Sequence, residues 1–102
     1  MTVPKKQYLL SVFIASPQPE HGKIKDIILN ISDGDFQIAH LHKTCIAIVF
    51  SSSLVPRQIE ARLEGAVLND DRRLLVELGR EWATFGLDKA ATWLRRNLGD
   101  PK

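Results

Sequence analysis

Asp33 and Asp35, in the run SDGD, flank Gly34 and offer carboxylate oxygens of the kind that hard divalent cations select. The same spacing is ordinary turn chemistry, with Gly34 free to take a positive φ. His40 and His42 alternate along a strand-like run and so project to one side at a spacing suited to a metal or to proton transfer, with His21 a conceivable third member. Solvated histidines on an edge strand share that pattern. Ser51 to Ser53 precede a helix start at Pro56, where hydroxyls and free amides either cradle a phosphate or cap the helix. Trp82 and Trp93 could stack on bases, yet Trp93 falls on an apolar helical stripe, which assigns it to a core or an interface. Cys45 is the single cysteine. It has no internal partner for a disulfide and lies in an apolar run, as a packed thiol in a reducing, cytoplasmic setting does.

The basic residues fall into doublets: Lys5 with Lys6, Lys23 with Lys25, Arg72 with Arg73, and Arg95 with Arg96. Gathered on one surface they would form a phosphate track; scattered, they are solubilising charge. With 14 basic and 12 acidic residues the net charge is only +2, so attraction to a polyanion must come from clustering. No stretch carries a catalytic signature, and nothing in the sequence calls for a cofactor or a metal.

These residues must be positioned by a small core. The 102 residues suffice for one domain, 1–102, with a two-layer core. A hydrophobic share of 44% and a charged share of 25% are ordinary for a soluble globular chain. No run approaches the ~20 apolar residues of a membrane helix. Lys5 and Lys6 ahead of YLLSVFIAS imitate a short signal peptide, but cleavage there would remove a central strand.

Met1 to Lys6 reads as a basic lead-in, and Tyr8 to Ala15 as a strand apolar on both faces, hence central. Ser16, Pro17, Pro19 and Gly22 form a loop, after which Ile24, Ile27, Ile28 and Ile31 recur at helical spacing. Phe36 to His42 alternates as an edge strand, with Phe36, Ile38, His40 and His42 on one face and Gln37, Ala39 and Leu41 on the other. Lys43 and Thr44 close a hairpin into a second central strand, Cys45 to Phe50. Pro56 opens a helix with the stripe Ile59, Leu63, Ala66 and Val67. Asn69 to Asp71 turn the chain into a last strand, Arg73 to Leu78. Asp88 caps a final helix carrying Ala90, Trp93, Leu94 and Leu98, with Gly99 beyond its end and Pro101 barring continuation.

The order predicts an α+β chain: a ferredoxin-like βαββαβ antiparallel sheet with a C-terminal helix. Both crossover helices then lie on one face, while the two central strands are apolar on both. Exposing residues such as Ile46, Ile48 and Phe50 would forgo about 1.5 to 3 kcal/mol each. The final helix covers part of the surplus, and a second copy of the chain is expected to cover the rest.

The runs HLHKTCIAIVFSSSL, QIEARLEGAVLNDDRRLLVELGREWA and AATWLRRNL, from Ile38 to Leu98, follow a hairpin, strand, helix, polar turn, RLLV strand and Trp order. That order resembles the small ferredoxin-like family of CRISPR-adaptation second core proteins and VapD-type toxins. Metal-dependent members keep an Asp at the end of strand one; here the corner reads Phe13, Ile14, Ala15, Ser16. By resemblance the chain is a silent relative, without the carboxylate that anchors a divalent ion. The expected function is a non-catalytic homodimeric module that binds double-stranded nucleic acid or a nucleoprotein through the eight doublet residues. The rivals are a metal-dependent endonuclease or toxin built on Asp33, Asp35 and the histidines, and a protein-interaction module such as an antitoxin or inhibitor.

Overall fold

The computed structural model describes residues 4–14, 21–64 and 71–100, with the side chain of His21 outside that description. The elements are β1 (Lys6–Phe13), α1 (His21–Ser32), β2 (Phe36–His42), β3 (Cys45–Ser52), α2 (Pro56–Leu63), β4 (Arg72–Glu77) and α3 (Asp88–Leu98). The strands form one antiparallel sheet in the order β2-β3-β1-β4, which puts the two most apolar runs in the middle and the histidine-bearing run at an edge. The side chain of the conceivable third histidine, His21, is not described, and the Ala15 and Ser16 corner, the prolines of the first loop, Ala66, Val67, Asn69, Asp70 and Pro101 all lie outside the described residues.

One face of the sheet carries both crossover helices. Tyr8, Leu10 and Val12 of β1 and Ile46, Ile48 and Phe50 of β3 alternate onto it, and Ile24, Ile28 and Ile31 of α1 with Ile59 and Leu63 of α2 close over them. The isoleucine stripe of α1 therefore does what its spacing predicts, and packing compensates for the low helix propensity of branched side chains. Ile46, Ile48 and Phe50 are at most 1% exposed, so they do not belong to the surplus face the sequence reading placed them on. That surplus falls on the alternate residues instead.

The opposite face receives α3. Trp93, Leu94 and Ala90 bury against Val49, flanked by Leu9, Ala39 and Leu78. The helix lies over β2 and β3. Its apolar cargo outweighs its caps: Asp88 stands inside the first turn and Leu87 occupies the N-cap without a side-chain bond, where the sequence suggested an aspartate cap. Gly99 ends it as expected, at φ 86°, with its N–H on the Arg95 carbonyl at 3.0 Å.

Other local readings shift for identifiable reasons. Lys6 joins β1 opposite Ser52, so the strand begins before the basic lead-in ends. β4 starts at Arg72, paired with Phe13. A register shift between Ile38 and His40 places His40 opposite Ala47 and His42 opposite Cys45. The bulge flips the second half of β2, so the histidines leave the face of Phe36 and Ile38, which alternation alone had given them. Asp33 joins Gly34 at positive φ, 52° beside 83°, a conformation to which aspartate is well suited.

Buried polar groups at the sheet end are satisfied. Ser52 Oγ donates to the Ile31 carbonyl at 2.8 Å and accepts the Leu54 N–H at 3.1 Å, tying α1, β3 and the next loop together. Tyr8 is fully buried as a residue, with its ring 5.6 Å from that of Phe50 and its hydroxyl donating to the Leu54 carbonyl at 2.9 Å. Burial chiefly, and the Glu77 carboxylate next, push the phenol above its usual 10.0, with Lys6 opposing. The unfolded chain then releases this proton first, so the contribution of the neutral phenol is complete below pH 10 and fades as pH climbs through the folded value. Tyr8 is the single tyrosine, so ultraviolet absorbance should show its ionisation midpoint above 10 in the folded protein. Tyr8→Phe should cost about 1 kcal/mol in urea unfolding at pH 7 and lessen the alkaline loss of stability.

Candidate functional site

The second sheet face is only half covered. Strand alternation puts Leu9, Ser11 and Phe13 of β1 on it, and the register sets Val76 opposite Leu9 and Leu74 opposite Ser11. α3 stands over the β2 and β3 side, leaving Phe13 52%, Leu74 55% and Val76 36% exposed. Between helix, sheet and the segment following β4 opens a cleft of about 330 Å³. Its floor is Leu9, Ala47 and Val49; its walls are Leu78 and Trp82 on one side and Leu87, Ala90 and Leu94 on the other.

The segment that forms the outer wall is tied back by a side-chain hydrogen bond. Trp82 Nε1 donates to the Gly99 carbonyl at 3.1 Å, fastening residues 79–87 to the far end of α3. Trp82 is thus a half-buried strut and a cleft wall together. Ser11 and Thr84 supply the hydroxyls of the lining, and among the described residues the rest of it is apolar. An apolar recess with a few hydroxyls at its lining has the character of a binding pocket.

Chemistry-bearing residues named from the sequence are placed elsewhere and apart. Asp35 stands before β2 and His42 ends it, a separation of roughly 20 Å at ~3.3 Å per strand residue. His40 and His42 are exposed with rings stacked 6.3 Å apart, and His42 Nδ1 accepts the Thr44 N–H at 3.3 Å, which leaves Nε2 as the ring's outward nitrogen. Among the described residues no group of three His, Cys, Asp or Glu gathers to hold a metal. Asp33 lies 3.9 Å from Lys5. Asp35 is structural: its carboxylate accepts Trp93 Nε1 at 3.1 Å and approaches Arg96 at 3.8 Å, while its carbonyl accepts the Ser51 N–H.

Two members of the serine run are likewise committed to the fold, while Ser53 is exposed. Ser51 and Ser52 are buried, Ser51 accepting Gln7 Nε2 at 3.3 Å. Neither caps α2; Val55 is its N-cap, and Gln58 Oε1 reaches back to the Val55 N–H at 3.1 Å, with Pro56 at the first helical position. Cys45 is half-buried at the start of β3.

The basic doublets spread around the perimeter. Lys6 and Phe13 are the ends of β1, and since Arg72 pairs with Phe13, the Lys5–Lys6 and Arg72–Arg73 doublets sit at opposite ends, about 23 Å apart along the strand. Lys23 and Lys25 are exposed on α1; Arg95 and Arg96 are exposed in the last turn of α3. Carboxylates attend several of them: Glu77 at 3.2 Å from Lys6, Glu60 at 2.7 Å from Arg73, Asp100 at 4.0 Å from Arg95. Arg73 thereby ties β4 to α2. One copy does not bring the four doublets to a single patch.

The cleft and the strip Phe13, Leu74 and Val76 were not singled out from the sequence. A signal was present, since Leu74, Leu75 and Val76 are apolar on both faces of the last strand, and Phe85 before Gly86 is a large apolar residue in a loop.

No protein-family model matches the sequence, and no curated protein does. A solved structure of similar outline is NE2512 of Nitrosomonas europaea, a protein of unknown function, with 15% identity over 83% of this chain and 100% of that one, at a TM-score of 0.42.

The Asp35 link gives a direct expectation. Asp35→Ala should cost about 1 to 3 kcal/mol in urea unfolding, because it strands the buried Trp93 N–H. In a Trp93→Phe background the same substitution should cost clearly less, the coupling being read from a double-mutant cycle.

Proposed function

We propose that this chain is a non-catalytic, self-associating binding module of ferredoxin-like architecture. Its open sheet face meets a second copy, and its basic perimeter engages double-stranded nucleic acid or a nucleoprotein. The strand order and the two crossovers that each step over one strand support the architecture. The observation that carries the reading is the half-dressed second face, where a cleft and a strip of half-exposed apolar side chains lie together. A contiguous apolar surface of that kind on a small chain marks an interaction site.

Self-association also supports the nucleic-acid part. Doublets that are about 23 Å apart on one copy are repeated by a twofold, so a dimer offers positive groups at several points along a duplex without needing a dense patch on either copy. Proximity to carboxylates tempers several of the doublets but does not neutralise them, since exposed pairs of this kind are worth only about 0 to 1 kcal/mol. The resemblance to the CRISPR-adaptation and VapD-type family fits the same proposal, as a relative that binds without cutting.

Sedimentation velocity at micromolar concentration should give a dimer, and Leu74→Lys should shift it to monomer with the circular dichroism unchanged. Fluorescence anisotropy with a labelled duplex should show affinity falling roughly 10²-fold between 50 and 200 mM salt if about four phosphates are engaged. Arg95→Ala with Arg96→Ala should weaken binding to all duplex sequences alike and flatten the salt dependence. Salt-independent binding, or none, would remove the nucleic-acid half of the proposal.

A further inference from the structure

Phe85 is 100% exposed, on the same short segment whose Ala83 and Thr84 line the mouth of the apolar cleft. Gly86 follows it at φ 77°, a left-handed backbone position that turns the chain towards α3 and leaves the phenyl ring standing clear. A knob and a recess therefore lie side by side on one copy, and the knob does not occupy the recess.

The geometry points to reciprocal exchange between two copies: Phe85 of each enters the cleft of the other, lined by Leu9, Val49, Trp82 and Leu94. This deepens, and rests on, the reading of the open face as a self-association surface. Three features commit the cleft to a second copy. The first is size, since a cavity of roughly 150 Å³ accepts benzene and this cleft of about 330 Å³ has room for a benzyl side chain with its backbone attachment. The second is placement: a knob adjacent to its own recess is self-complementary under a twofold, giving two identical contacts and a closed pair instead of a growing chain. The third is continuity, because Phe13, Leu74 and Val76 extend the same face beyond the cleft. Together with Phe85 they expose on the order of 500 Å² per copy, a large share of the ~800 Å² each partner contributes to a standard interface.

The test uses sedimentation equilibrium on the wild type, Phe85→Ala, Leu74→Lys and two cleft-filling variants, Ala47→Leu and Ala83→Leu. Both Phe85 and Ala83 are exposed, so their replacement leaves the fold in place. Exchange predicts that Phe85→Ala weakens the dimer about 100-fold, since two buried phenyl rings are lost, and that a cleft-filling variant weakens it as well. An equimolar mixture of Phe85→Ala with a cleft-filling variant should then associate more tightly than either alone, because one intact knob still meets one open recess. Trp82 should report the same event, its emission moving to longer wavelength on dilution of the wild type and already shifted in Phe85→Ala.

A wild type that stays monomeric at 100 µM overturns both this inference and the open-face reading. A dimer broken by Leu74→Lys but unmoved by Phe85→Ala overturns exchange and leaves the open-face reading standing. A dimer weakened by Phe85→Ala with no recovery in the mixture also overturns exchange, and so does a monomer whose Trp82 emission responds to Phe85→Ala, which would put the ring in its own cleft.

Discussion

The structure depends on a mismatch of widths. Four strands spaced about 4.8 Å apart make a sheet roughly 15 to 20 Å across, and a helix with its side chains is about 10 Å wide. Two helices cover such a face; one covers half of it. α1 and α2 cover most of the first face, and α3 alone is laid on the second, over β2 and β3. Because β1 and β4 carry apolar residues on both sides, the uncovered half cannot be a polar surface. The open cleft, the exposed strip and the proposed pairing all follow from that count.

Where α3 sits is fixed by one polar link as much as by apolar area. Trp93 is 2% exposed, and its indole N–H needs a partner once it leaves water. Asp35, at the turn before β2, supplies that partner at 3.1 Å and draws Arg96 towards the same carboxylate. The helix is thereby anchored over the edge strand and away from β4. An aspartate in an SDGD turn had looked like a ligand for a cation, but its charge is spent on positioning a helix. The serines show the same economy, with Ser52 used to join α1 to β3 and not to hold a phosphate.

What the sequence made legible was periodic. Continuous apolar runs located β1 and β3 at the centre, the isoleucines of α1 marked its buried stripe, and Gly99 marked the end of α3. Each of these depends on spacing within one segment. What escaped depends on relations between segments or on a single residue out of step. The bulge at Ala39 adds one residue to β2 and reverses the side on which His40 and His42 stand, which strict alternation has no means to announce. Which apolar face would be left open was also beyond reach, since the hand of the crossovers and the landing place of α3 decide it together.

That reversal by the bulge bears on what the open face can be. Had alternation held, Leu41 would have joined Ala39 on the second face and the histidines would have turned towards α1. With the shift, His40 and His42 stand opposite Ala47 and Cys45, on the α3 side of the sheet at the edge far from β4, while Leu41 is sent to the other side and left 56% exposed. The exposed apolar area on β1 and β4 is bounded at the ends of β1 by basic doublets, with β3 and α3 standing between it and the two imidazoles. A polar rim around an apolar centre is the anatomy of a protein interface, in which the centre excludes water and the rim sets orientation. The bulge costs the edge strand one regular pairing, and in return the greasy part of the face is confined to the two strands that α3 does not reach.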